Sequence, residues 1–478
     1  MNSQNAHATR PANPVSQAAA SVSPARAWYA VSVLLVAYIF SIMDRQILTL
    51  LVGPIQKTLG VNDTLIGLLH GFTFAAFYGV MGLPIARLID RGNRRVLIAI
   101  GIVVWSLATA ASGLASDYWH LLAARIAVAV GEAVLIPGTV SLVADLFTPD
   151  KRGRAMGVFG AAGPVGSGVG LFAGSLILGA YTLSRPMLPF VGAIEPWQAT
   201  FIAVGLPGVA VAIFMLAVPE PRVAKKGSTG GMGTGSDIVN VPVAQVKDYI
   251  VRNGRTFRGF IVGASMFYMS VYGFTGWAPT YFVRHFGWSY QEIGKLFGML
   301  MLVAGPAGTL FASWLGERWI RCGVVHSYLR VAMLGVCGMT VSGSAMVLAA
   351  TATPAAIFLG LVAFFVTFLF GIGPAIVTQI TPAPMRGQVA ALFTGALNLL
   401  GAGLGPVAIG LITDYVLGDR NAIGSSMLIV LLGAGTLAFL LLRSGICGYG
   451  DSVKHAARWC LAHEPQDLAS ADTRTAQG

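Results

Sequence analysis

Ala86-Arg87-Leu88-Ile89-Asp90-Arg91-Gly92-Asn93-Arg94-Arg95 lies between two apolar runs, 65–85 and 96–116. A shorter version, Leu315-Gly316-Glu317-Arg318, closes a third run at 291–316. A second pair repeats in the same way: Arg152-Gly153 with Phe159 seven residues past the arginine, and Arg386-Gly387 with Phe393. Charged signatures recurring in one order between apolar runs describe a chain built twice. Further runs of spanning length fall at 28–50, 120–146, 155–180, 198–218, 258–283, 327–350, 353–380, 387–416 and 423–443. A membrane helix takes about 20 apolar residues, so the chain reads as twelve transmembrane helices, six on either side of a polar break. Membrane strands are the poorer reading, because they are short and alternate in polarity. The fold class is therefore an all-α membrane protein made of two parallel six-helix repeats. Its parts are an arm at 1–27, a bundle at 28–219, a linker at 220–257, a second bundle at 258–446 and a tail at 447–478. Repeats of this kind hold a binding site between them near mid-bilayer and expose it alternately to each side.

Composition agrees. Of 478 residues, 55% are hydrophobic and 10% charged, where a soluble domain has roughly 25% charged. The mean hydropathy is +0.73, so most of the exterior faces lipid. The net charge of +12 would point to nucleic acid in a soluble protein, but here the cations mark loops. Arg87, Arg91, Arg94, Arg95, Lys151, Arg152, Arg154, Arg318, Arg321 and Arg386 follow helices 2, 4, 8 and 10, while the opposite loops hold Lys57, Arg185, Arg284, Lys295 and Arg420. The positive-inside rule then puts both termini in the cytoplasm. Cys322, Cys337, Cys447 and Cys460 have no metal-binding spacing and fall in helices or on the cytoplasmic side, so neither disulfide nor metal site is read. Residues 1–26 lack the apolar centre of a signal peptide and read as a disordered arm. Basic residues of the linker can touch anionic headgroups, although a solvated linker explains them as well. Asn62-Asp63-Thr64 is a glycosylation acceptor sequence in an outer loop.

The 86–95 segment resembles the loop signature of the major facilitator superfamily. Asn93, Asp44-Arg45 in helix 1, Arg125 with Gly131-Glu132-Ala133 in helix 4, Ala144-Asp145-Leu146-Phe147 at its end and Pro164-Val165-Gly166-Ser167-Gly168 in helix 5 make it similar to the spinster branch. Gly205-Leu206-Pro207-Gly208 in helix 6 fits too, whereas Ala86, Gly92 and His70 depart from that branch. The resemblance implies a latch of Asp90, Arg91, Arg94 and Asp145 that holds an outward-open state. It also implies that helices 5 and 11 pack and gate the halves, and that lysophospholipids or sphingoid-type lipids are candidate cargo. The wider superfamily implies small carboxylates or drug-like compounds instead.

Charges inside helices carry the mechanism, since each costs at least about 2.5–3.5 kcal/mol at mid-bilayer. Asp44 lies about 24 Å along helix 1, and Arg125, on a helix running the other way, sits about 8 Å below its outer end. The two are at similar depth. Glu132 is two turns past Arg125 on the same face, near the midplane, where a carboxyl can take up and release a proton. Asp44 and Arg45 do not face one another on a helix, so each needs another partner, and Arg125 is the candidate for Asp44. A polar ladder of Asp44, Arg45, Arg125 and Glu132 is expected to face the cavity, with Asp44 and Glu132 carrying protons and the arginines meeting a phosphate or carboxylate. His70 is a weaker candidate for substrate contact, as a histidine among apolar residues is commonly packed. The glycines Gly166, Gly170, Gly174, Gly401 and Gly405 stand four apart, a spacing that brings helix backbones close. Tyr268, Tyr272, Trp277, Thr367, Thr378, Gln379, Thr394 and Asn398 offer an aromatic and amide-lined wall from the second half.

The reading is a proton-coupled secondary carrier, acting as a monomer, with membrane lipid, protons and a small-molecule or lysolipid substrate as partners and neither cofactor nor nucleic acid. An ATP-driven carrier lacks its GxxxxGK[ST] loop, and an enzyme its HExxH or GxSxG. A receptor has no evident use for a two-fold repeat and a latch. Compact loops favour a bacterial inner membrane.

Overall fold

Pro24 opens the first helix, its fixed φ suited to a first turn, and Gly60 closes it at φ 67°, a left-handed angle that glycine adopts without strain. The helix Pro24–Leu59 is span 1 of a computed structural model that describes residues 22–184, 186–188, 192–221, 241–324 and 326–462. Most of the expected arm, the linker residues 222–240 and the tail residues 463–478 lie outside the described residues. Span 2 begins with Asp63–Gly67, passes through a π-helical stretch Leu68–Phe72 and ends with Thr73–Arg91. Span 3 is Arg94–Ser112, span 4 Tyr118–Glu132 and Leu135–Leu146, span 5 Pro149–Gly160 and Ala162–Ser184, and span 6 Pro196–Leu216. Between spans 5 and 6, Met187–Leu188 pairs antiparallel with Gly192–Ala193.

After a short linker helix, Val243–Arg252, come span 7 (Gly254–Phe286), span 8 (Tyr290–Arg321), span 9 (Ser327–Leu348) and span 10 (Ala352–Phe365 and Phe368–Ile380). Span 11 runs Arg386–Ala396, Leu397–Gly403, Leu404–Leu411 and Ile412–Leu417, the second and fourth pieces π-helical, and span 12 is Ile423–Ala462. Among the described residues eleven of these helices are long and apolar enough to cross a membrane. Span 7, of 33 residues, supplies the length for a twelfth but dilutes its apolar residues with Gly, Ser, Thr and Tyr. Span 12 continues as one helix past residue 446, where the sequence reading placed the start of a tail.

Local sequence explains the joints. Asn93 caps span 3, its Oδ1 accepting from the Val96 N–H at 3.3 Å, which occupies one of the free donors at a helix start. Spans 4 and 5 break just before Pro137 and Pro164, whose rings clash with the carbonyl four residues earlier and have no N–H to give. Gly166, Gly170 and Gly174 lie against Ile39, Met43 and Ile47 of span 1, so the four-residue spacing seats one helix on another. Gly401 and Gly405 do the same against Tyr268 and Met269 of span 7.

Span 1 starts and span 12 ends at the same end of the bundle, the termini-bearing end. One apolar core fills the second half and continues across to Met43, Ile47, Ile55, Ile66, Leu171 and Leu178 at the far end of the first half. A separate core, including Leu34, Ile98, Trp105, Leu142 and Phe159, fills the termini-bearing end of the first half alone. The halves share a core only at the far end.

Candidate functional site

Contacts between the halves show where the cavity opens. On spans 2 and 11, Gly67 lies against Pro406, Gly71 against Ala402 and Gly403, and Ala75 against Gly403. On spans 5 and 8, Gly168 meets Gly298, and Pro164 faces Gly305. Beyond these, toward the termini-bearing end, the ideal Cβ positions of Gly79 and Gly82 on span 2, Gly157, Gly160 and Gly163 on span 5, and Gly387 and Gly395 on span 11 have nothing within 4 Å. The cavity is open to the termini-bearing face and shut at the far face.

A polar gate does the shutting. Arg284 of span 7 donates to both carboxylate oxygens of Asp63 of span 2, each at 2.7 Å, with side-chain exposures of 14% and 0%. Gln56 bridges them, donating to Asp63 at 2.6 Å and accepting from Arg284 at 2.9 Å. Asp414 of span 11 accepts from the Thr64 N–H and hydroxyl, both at 2.6 Å, a carboxylate at a helix N-terminus where the dipole favours it. Tyr290 of span 8 accepts from the Gly53 N–H at 3.0 Å. Sequence reasoning missed this gate. Arg284 was counted there as a loop charge and Asp63 only as part of a glycosylation sequence, whose Asn62 in fact caps span 2 through the Leu65 N–H.

At mid-depth the structure brings Arg45 and Glu132 together. Arg45 Nε donates to Glu132 Oε2 at 2.9 Å, and Nη2 makes a second bond to the same oxygen. Ser41 donates to it as well, at 2.7 Å. The Arg45 guanidinium lies 3.9 Å from the Phe74 ring centre and 5.7 Å from that of Tyr78, a cation–π arrangement. Its side chain is 28% exposed while that of Glu132 is 0%. A solute in the cavity therefore meets the arginine first, with the acid behind it. Glu132 Oε1 is buried without a hydrogen-bond partner among the described residues.

The ion pair expected between Asp44 and Arg125 is not made. The two are adjacent, as the depth arithmetic required, but Arg125 Nη2 donates to the Asp44 backbone carbonyl at 3.2 Å. The Asp44 carboxyl turns to span 3 and accepts from the Thr109 hydroxyl at 2.8 Å. Asp44 Oδ1 and Arg125 Nη1 are buried and unpartnered among the described residues. His70 lies in the π-helical stretch of span 2, near enough to Arg125 for their charges to interact, with Nε2 3.1 Å from where a Gly276 Cβ would lie. Of the second-half wall, Tyr268, Tyr272 and Phe370 form an aromatic group with ring centres 5.4 to 5.8 Å apart. Trp277, Thr367 and Gln379 are used in packing: they bond to the Pro406 and Gly305 carbonyls and to the Tyr449 hydroxyl.

The loop signature forms a third cluster, entirely within the first half. Arg94 is buried and donates to Asp145 at 2.7 Å, to the Ser141 carbonyl at 2.8 Å, and to both oxygens of Glu220. Asp90 and Arg91, grouped with it in the sequence reading, are exposed. Glu220 was missed because it stands at the edge of the linker, just past the apolar run of span 6. Arg94→Ala takes the cation from the buried Glu220 carboxylate, leaving it the backbone N–H groups of residues 94 and 95, and is expected to cost about 3 kcal/mol, whereas Arg91→Ala costs less than about 1 kcal/mol. Thermal unfolding of the purified variants measures the difference.

Comparison with known proteins places these features. Residues 34–406 match the sequence pattern of the Major Facilitator Superfamily. An MFS-type efflux pump of Mycolicibacterium smegmatis is 25% identical over 90% of this chain and 94% of its own length. Human Protein spinster homolog 1 is 34% identical over 203 residues, 42% of this chain and 36% of that protein. The crystal structure of a bacterial homologue of the human lysosomal transporter Spinster, inward-facing and unoccupied, superimposes with a TM-score of 0.72 at 22% identity, over 91% of this chain and 99% of that one. The chain is a multi-pass membrane transporter and not an enzyme: it belongs to the major facilitator superfamily, and part of its length is similar to spinster proteins.

Proposed function

We propose that this transporter is a proton-coupled secondary carrier working by alternating access, with an amphipathic lipid such as a lysophospholipid or sphingoid-type lipid as the first candidate cargo. The observation that carries the reading is the Arg45–Glu132 pair: a partly exposed cation in front of a fully buried acid, set among Phe74, Tyr78, Tyr268 and Tyr272. Protonation of Glu132 removes the partner of Arg45, whose planar fork then suits a phosphate or carboxylate. The aromatic rings take the apolar part of the cargo. Asp44, buried with the Thr109 hydroxyl on its carboxyl, is the second proposed proton carrier. The basic loops orient the open face toward the cytoplasm, and the compact loops favour a bacterial inner membrane. The loop-signature residues Asp90, Arg91, Arg94 and Asp145 are proposed to latch the two halves when the cavity closes on that side.

A drug-like compound or small organic anion is the second reading, supported by the match to an efflux pump over 90% of the chain. Uptake into proteoliposomes separates the two. Lysophosphatidylglycerol that accumulates with an imposed proton gradient, and not without one, supports the lipid reading. Gradient-driven uptake confined to a sugar acid or a cationic dye contradicts it.

A further inference from the structure

The linker helix Val243–Arg252 has one face pinned to the protein and one face bare. Val246 and Tyr249 are buried. The Tyr249 hydroxyl donates to the Ile380 carbonyl at 2.8 Å, and Asn253 meets the His455 ring at 3.0 Å. Gln388 donates to the Val241 carbonyl at 2.8 Å. These contacts fix the helix to the termini-bearing ends of spans 10, 11 and 12. On the other side Val243 is 75% and Val251 67% exposed. With Lys247 they make a stripe at i, i+4 and i+8, one side of a helix, and Ile250 at its edge is partly buried against the core. Gln245, Asp248 and Arg252 form the polar side.

Position decides what covers the stripe. Only Asn253 separates this helix from span 7, so it lies where the bundle leaves the bilayer. Arg255 and Arg258, exposed in the first turns of span 7, extend its basic edge. From 241 to 258 the cations are Lys247, Arg252, Arg255 and Arg258, and Asp248 is the acid. An amphipathic helix of this composition beside a membrane lies in the interface with its apolar residues among the acyl chains, and a lysine in the stripe reaches back to the phosphates along its own stem.

We propose that this face is a docking site for anionic phospholipid: Val243 and Val251 enter the acyl boundary, and Lys247, Arg255 and Arg258 bind the headgroup phosphates. The contact does not depend on what the cavity carries.

Hydrogen exchange of the full chain tests it, in nanodiscs of phosphatidylcholine alone or mixed with phosphatidylglycerol, one chain per disc. Amides 244–252 are expected to exchange about tenfold more slowly with phosphatidylglycerol present, since each basic residue near an anionic surface gains attraction there. A Lys247→Gln, Arg255→Gln, Arg258→Gln variant loses that difference while its span 12 amides keep their protection, which shows it folded. If the triple variant loses span 12 protection, Lys247→Gln alone is read, with an expected loss of about twofold. Three results overturn the proposal: equal exchange of the unaltered chain in both lipids, protection by phosphatidylglycerol that survives the glutamines, and protection that appears only with two chains per disc, which would make a second copy the occupant.

Discussion

Glu132→Gln is expected to leave the transporter folded and able to bind an anionic solute, yet unable to concentrate it. Glutamine keeps the volume and one oxygen for Arg45 and Ser41, which in the unaltered chain both bond Oε2, but it neither gains nor loses a proton. If one proton moves with each solute, a gradient of two pH units supports about 100-fold accumulation, because one unit is about 1.4 kcal/mol and a factor of ten. The variant should reach equal concentrations on both sides, with exchange of labelled for unlabelled solute continuing. Glu132→Ala should behave differently. It leaves Arg45 in front of an empty buried site, at a cost of about 3–5 kcal/mol, and should lower thermal stability as well as transport. Accumulation and unfolding measured on the same preparations distinguish a coupling role for Glu132 from a structural one.

Arg284→Ala is expected to have its largest effect on conformation. The arginine holds a fully buried Asp63 through two bonds of 2.7 Å, and these exist only while the far face is shut. Removing one partner of a buried pair costs about 3–5 kcal/mol. Here the cost falls on the far-closed state alone, since opening lets water reach Asp63. A change of 4 kcal/mol alters the ratio of the two states about 10³-fold. Spin labels at Lys57 and Asp419, exposed positions at the far ends of the two halves, should report one short distance in the unaltered chain and a dominant longer one in Arg284→Ala. An unchanged distribution would mean that the gate is held by packing, such as Gly67 on Pro406, and not by charge.

The architecture was legible because its causes are local. Repeated signatures and twelve apolar runs set the bundle, and Asn93, which carried the branch resemblance, proved also to cap span 3. Depth was also legible: counting residues at 1.5 Å each put Asp44 and Arg125 side by side, where they are. Pairing was not. An arginine reaches more than a turn along its helix, so Arg45 was free to go to Glu132, and Thr109 of another span drew the Asp44 carboxyl away from Arg125. The far gate joins residues some 220 positions apart with no shared motif. Glu220 and the π-helical stretches of spans 2 and 11 were invisible for the same reason: tertiary contact, not local pattern, fixes them.

The central claim is that Arg45 and Glu132 act as one unit, the acid taking a proton as the arginine takes an anion. Proton exchange on binding tests it most directly. Purified protein in weakly buffered detergent solution is mixed with lysophosphatidylglycerol near neutral pH, and the proton change is followed with an indicator dye. Uptake of about one proton per anion bound, absent in Glu132→Gln, is the predicted result; saturable binding with no proton uptake by the unaltered chain would contradict the account.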